Sequence, residues 1–375
     1  MDKNISIAHP VSRITCAVHR ATGDAMTEAL LATGADSIMV ESARGVRQRV
    51  RARRSFLRGE KMDFDDAPML QFRVSVPRAE SNAVIASLVE VGQLRIPGHG
   101  LLYVQDVDQY SCKGPAIDHP GNPASAAGTL RDMALLTCIL SSAGSGDAFA
   151  RVALSLGAGF PVISNGMGTG IRDQLGLLRI AIAPEKEIVR LMVPAQDAAS
   201  IRLLLIEEGR LNRSGAGFLY QTPIREGLFD PLLRIGRQQH AASMEQVIAA
   251  IDDLKGSTGW RKRFVSFEER PENLVQVTSG RYHEMYFSCR DGAAGAWIRA
   301  AMDAGAVGAT TAQARRIFAG VSDSGGAARE VGVLCVPGVV TGPVLDALLE
   351  KAHTDGDPCA CVQVQNVSAV FAHKR

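Results

Sequence analysis

"GQLRIPGHGLLYV", which begins at Gly92, returns as "GRLNRSGAGFLYQ", which begins at Gly209, 117 positions later. The scaffold G-x-L-x-x-x-G-x-G-[LF]-L-Y is kept while most residues between it change. Self-similarity at so long an offset marks a structural unit used more than once. Upstream, "LQFRVSVP", ending at Pro77, matches "EIVRLMVP", ending at Pro194, at the same offset. Both alternate as strands do, and each proline ends the ladder and opens a helix. The helical stretches "AESNAVIASLVEVG" and "DAASIRLLLIEEG" each stop at a Gly suited to a left-handed cap. Earlier still, "RITCAV" from Arg13 resembles "LLTCIL" from Leu135. Each leads into a helix ("GDAMTEALLATG" or "GDAFARVALSLG") and then a second strand ("DSIMVES" or "FPVIS"). The unit reads β-α-β-β-α-β.

A third, worn copy occupies the C-terminal part. "MYFSCR" places Cys289 where the other copies have Cys16 and Cys138, and "AGAWIRAAMDAG" is its first helix. "REVGVLCVP", "GPVLDALLEKAH" and "CACVQVQ" supply its third strand, second helix and closing strand, while its last loop, "HTDGDP", lacks the Gly-x-Gly pair. The expected fold class is therefore α+β, with three tandem ferredoxin-like (βαββαβ) repeats. Repeat 1 spans 11–110, a Pro/Gly/Ser-rich linker 111–130, repeat 2 131–228, an insert 229–280 and the degenerate repeat 3 281–375. Within the insert, "SMEQVIAAIDDLKG" carries a Ser243…Gln246 capping box, apolar residues at helical spacing and a terminal Gly256, so it predicts a helix.

Composition narrows the class. The 375 residues are 46% hydrophobic and 21% charged, with a formal net charge of +2, ordinary values for a soluble globular protein. Seven irregularly spaced cysteines do not make a secreted disulfide framework. No signal-peptide pattern opens the chain, and no apolar run approaches the ~20 residues a bilayer crossing needs. A cytoplasmic, reduced protein not embedded in a membrane is expected.

Strand one ending in [TS]-C, strand two running into "ARGVRQ", the V-x-V-P strand and the G-[QR]-L-x-x-x-G-x-G loop together resemble the PII nitrogen-regulator family of signalling proteins. The second copy, with "GTGIRDQLGLLRIAIAPEKEIV", resembles a PII-like branch often associated with membrane transporters. In that family three subunits form a ring; the resemblance implies that this chain is a single-chain pseudo-trimeric ring. It also implies nucleotide binding between units, with ATP, ADP, AMP or a cyclic nucleotide as candidates. The residues it points to are Gly45, Arg47, Gln48, Gly98, His99 and Gly100 in one set, and Gly168, Gly170, Arg172, Gly215 and Gly217 in another. The chemistry fits: glycines let backbone N–H groups approach an anion, and Arg supplies a charged fork. Two departures stand out. Leu101 and Phe218 occupy the place of a family lysine, and of the paired arginines after strand four only Arg225 is present. The implied function is a non-enzymatic regulator that senses a small anionic metabolite or nucleotide in inter-repeat clefts and controls a partner such as a membrane transporter. The alternative is a structural or assembly subunit that retains the ring without ligand binding.

The stretch Arg44–Lys61 carries seven arginines and falls where a PII protein has its target-binding loop. It is expected to meet a protein partner, an anionic surface or a nucleotide; a solvated basic strand extension is the plainer reading. Aromatic interleaving is limited to Phe56 and no helix-turn-helix pattern occurs, so DNA is not the expected partner. Cys16, Cys138 and Cys289 recur at one position, which leaves a trigonal sulfur metal site open, but each shares a strand face with Ile14, Leu136 or Phe287. Small apolar core residues are the simpler reading. "GMGTG" from Gly166 is a weak dinucleotide pattern, because no helix is expected after it. No P-loop, HExxH or nucleophile elbow is present, and no catalytic constellation stands out.

Overall fold

The computed structural model describes residues 8–35, 38–50, 62–96, 98–111, 129–141, 144–155, 158–170, 184–213, 215–228, 233–234, 241–242, 281–318 and 326–372. The chain is a mixed α/β protein dominated by antiparallel sheet. In chain order the first elements are β1 (His9–His19), α1 (Gly23–Ala32), β2 (Ile38–Val50), β3 (Met62–Pro77), α2 (Ser81–Val91) and β4 (Gly100–Ser111). Next come β5 (Leu130–Leu140), α3 (Ser145–Ser155), β6 (Val162–Gly170), β7 (Glu185–Pro194), α4 (Ala198–Glu208) and β8 (Gly217–Leu228). A two-stranded pair follows, β9 (Leu233–Arg234) with β10 (Ala241–Ala242). The last elements are β11 (Tyr282–Arg290), α5 (Ala294–Asp303), β12 (Gly308–Ile317), β13 (Ala328–Pro337), α6 (Gly338–Thr354), β14 (Cys361–Val367) and β15 (Ala369–Ala372).

Thirteen strands join in one sheet, in the order β12-β13-β11-β14-β4-β1-β3-β2-β6-β7-β5-β8-β15. Within it the runs β4-β1-β3-β2, β8-β5-β7-β6 and β14-β11-β13-β12 share one pattern of chain order. Further pairings tie the runs together. β12 pairs with β2 and β6, β2 pairs with β6, and β4 pairs with β8. These contacts satisfy edge groups that would otherwise invite association with another chain.

Burial follows the alternation along the strands. Ile14, Cys16 and Val18 face α1 and α2 in one apolar cluster with Phe72, Ile85 and Leu88. Leu136, Cys138 and Leu140 form a second with Phe149 and Leu205, and Phe287 and Cys289 a third with Trp297 and Leu348. The three recurring cysteines are core residues. Burial pushes the Cys16 and Cys138 thiols up and that of Cys289 to about 12, so none is poised as a thiolate ligand. Among the described residues no His/Cys/Asp/Glu group could hold a metal ion.

Several elements differ from their sequence-based bounds. β2 extends past "DSIMVES" through "ARGVRQ": it pairs with β3 continuously from Ile38↔Val74 to Val50↔Met62, so Gly45–Gln48 lie within a ladder. "GMGTG" likewise belongs to β6, the strand itself. α6 starts at Gly338, four residues before the expected start, directly after Pro337, and it carries Pro343 inside it. β15, after the expected last strand, pairs with β8. The helix expected over 243–256 lies outside the described residues, as do 51–61 and 171–183. No helix among the described residues is long and apolar enough to cross a membrane.

Candidate functional site

The first glycine loop is built by the end of α2 and the start of β4. Leu94 anchors it in the core, and Gly98 takes a left-handed conformation (φ +79°) that a side chain would strain. From β2, opposite Asp65 in β3, Arg47 reaches this loop, its Nη1 donating to the Gly98 carbonyl at 3.5 Å. The structure thus brings Arg47 and Gly98 together. His99 follows, its N–H donating to the Ile96 carbonyl at 3.2 Å. Gly100 has a steric reason of its own: a Cβ there would lie 2.1 Å from the Ala17 carbonyl oxygen.

The second loop repeats this design. Gly215 is left-handed (φ +77°), the Ala216 N–H donates to the Arg213 carbonyl at 3.1 Å, and a Cβ at Gly217 would lie 2.7 Å from the Ile139 carbonyl oxygen. In both loops the second glycine lets strand four close on strand one, and the residue before it uses its N–H in the turn. Gly168 and Gly170 stand in β6 opposite Thr310 and Gly308 of β12, and the Gly168 N–H donates to the Pro184 carbonyl. Gly45 sits in β2 opposite Ala67 and packs against Phe160 and Met69. Of Gln48 only its position opposite Phe64 is described, and Arg172 lies outside the described residues.

Two arginines expected to face outward or toward phosphate are engaged within the fold. Arg44, first of the basic stretch, binds Asp147 of α3, Glu187 of β7 at 2.9 Å and Asp66 at 3.4 Å. Glu187 is held in turn by the Gly146 N–H at 2.7 Å, at the start of α3. Arg225 donates to Ser12, Asp106 and Ser81 at 2.8–2.9 Å and pairs with Glu226. It ties β8 to β4 and α2.

The third loop carries its own anion. Asp357, buried, lies 2.8 Å from the fully buried Arg329 and accepts from the Cys359 N–H at 3.0 Å. By strand register, Cys361 opposite Ser288 matches Tyr103 opposite Thr15, which places Asp357 at the position of His99. The absent Gly-x-Gly hinted at a changed loop, but nothing local in the sequence named Arg329, 28 positions away, as its partner.

No protein-family model matches the chain, and none of the curated proteins does. Solved structures of B. subtilis GlnK are similar to part of it. One is 16% identical with a TM-score of 0.23, over 28% of this chain and 90% of that one. A GlnK–ATP complex from the same organism is 16% identical with a TM-score of 0.24, over 27% of this chain and 88% of that one.

Proposed function

We propose that this chain is a non-enzymatic PII-like regulator in which three β-α-β-β-α-β copies, fused in one polypeptide, take the place of three subunits of a ring. The shared strand order of the three runs and the mutual pairing of β2, β6 and β12 support this reading. Its ligand is a small anionic metabolite or an adenine nucleotide, and the first loop is its centre. The observation that carries the proposal is Arg47 beside left-handed Gly98, near the Val50↔Met62 end of the β2–β3 ladder. Its contact to a neutral carbonyl is long. A ligand phosphate would offer the same guanidinium a shorter, charge-assisted bond. Binding would then favour one arrangement of the β2–β3 ladder, which would pass that preference to a protein partner such as a membrane transporter.

The first loop is tested by calorimetry with ATP, ADP, AMP and cyclic nucleotides. Heat of binding is expected for at least one, weakened roughly 10- to 100-fold by Arg47→Ala, as for loss of one charge-assisted contact. No heat with any of them favours the second reading, a ring kept as an assembly scaffold. That reading draws on the internal engagement of Arg225 and of Asp357. Either reading expects light scattering to give the mass of one chain or a small multiple, with no obligatory trimer; a three-chain mass overturns the fused ring.

A further inference from the structure

Away from the glycine loops, the faces of the strands turned from the helices enclose a polar cavity of about 20 Å³. It is lined by Arg13, Arg73 and Arg190 among other groups, all three arginines buried. Their neutralisation is unequal. Arg13 Nη2 donates to Glu284 Oε1 at 2.7 Å, and Arg73 Nη1 to Glu41 Oε1 at 2.6 Å. Arg190 Nη1 donates to the Ser164 hydroxyl at 2.8 Å, a neutral partner.

Strand register explains the difference. Glu41 lies opposite Gln71, two residues before Arg73, and Ser164 lies opposite Ile188, two residues before Arg190. Ser164 therefore stands where the other run places its carboxylate. In the third run the matching stretch holds Val331 (opposite Ser288) and Val333 in β13, and Ala312 and Ala314 in β12, none charged. The three guanidiniums that line the cavity are thus met by two carboxylates, Glu284 in its wall and Glu41 behind Arg73. An isolated buried charge is costly unless something compensates it. A second feature points the same way: the Thr15 hydroxyl, buried in the cavity wall, has no hydrogen-bond partner.

We propose that this cavity binds one small inorganic monoanion of about chloride size, held by Arg190. The volume suits a single water-sized particle and excludes a nucleotide. One negative charge beside Arg190 completes the pattern that Glu41 completes beside Arg73. The site is distinct from the Arg47–Gly98 loop and does not depend on it.

Bromide is the probe. Crystals of the full chain grown or soaked in sodium bromide should show an anomalous peak beside the Arg190 guanidinium. Arg190→Met, which removes the charge, and Ser164→Glu, which supplies the carboxylate internally, should each abolish it. In parallel, replacing gluconate by chloride at fixed ionic strength should raise the wild-type Tm by about 2–4 °C. The same exchange should leave both variants unmoved. Water alone in the wild-type cavity overturns the proposal, and so does a bromide peak or a chloride response that survives both substitutions. Should Ser164→Glu fail to fold, Arg190→Met carries the test.

Discussion

Glu284→Ala is expected to destabilise the chain by about 3–5 kcal/mol, because it leaves Arg13 as an uncompensated buried charge. Both side chains are almost fully buried. Arg13 also donates to Gln105 at 2.9 Å, and Glu284 also accepts from Gln365 at 2.7 Å, so the loss strips a network and not just a pair. A lower urea midpoint with an unchanged slope is the signature to look for. The double substitution Arg13→Met/Glu284→Leu should recover most of the loss, since an apolar pair of similar volume is often tolerated where a broken ion pair is not. A double variant no more stable than Glu284→Ala would show that the network is not the source. Acid should reveal the same pair. Burial alone would raise the Glu284 pKa, yet Arg13 and hydrogen bonds from Arg13, Tyr220 and Gln365 hold it below the ordinary glutamate range. A carboxylate depressed in the folded state contributes stability above its unfolded pKa, roughly 4.3, and loses that contribution as pH falls through the folded value. The stability gap between wild type and Glu284→Gln should therefore narrow steadily below about pH 4.

Gly100→Ala should cost a comparable amount, about 3–5 kcal/mol, in the range reserved for overpacking combined with backbone strain. Its Cβ would lie 2.1 Å from the Ala17 carbonyl oxygen, a backbone atom inside a paired strand, and its φ is +152°. Relief would require β1 and β4 to separate where Ala17 pairs with Leu101 and Val18 with Gly100. Gly34→Ala is the control. That glycine is also left-handed, but nothing lies within 4 Å of a Cβ there. It should lose only the conformational term, about 1–2 kcal/mol. Equal losses at the two positions would mean that the close approach of strand four to strand one is not what Gly100 serves.

These two sites also mark how far a linear reading reaches. The repeated G-x-G was plain in the sequence, and so was its place between a helix and a strand. Its cause was not, because the clash that forbids a side chain comes from a carbonyl 83 positions upstream. Resemblance to a family points to Arg47 and to Gly98; their contact, across 51 positions, is visible only in the fold. Arg44 was read as part of an outward-facing probe, yet it closes an ion cluster with Asp147 and Glu187, about 100 or more positions away.

Local periodicity alone determined the strand–helix succession, the terminating prolines and the apolar face carrying Cys16, Cys138 and Cys289. Those signals arise from alternation and capping within a dozen residues, and they need no partner to be legible. Along the chain, Arg13, Arg73 and Arg190 carry no sign of what would neutralise them. Tertiary structure decided which of these charges met a carboxylate. Glu284 reached Arg13 across 271 positions, Glu41 reached Arg73, and Ser164 left Arg190 with a hydroxyl. Charge compensation in a buried space depends on distances of a few ångströms between strands remote in the chain. No pattern along one strand encodes that distance; it exists only once the strands pair.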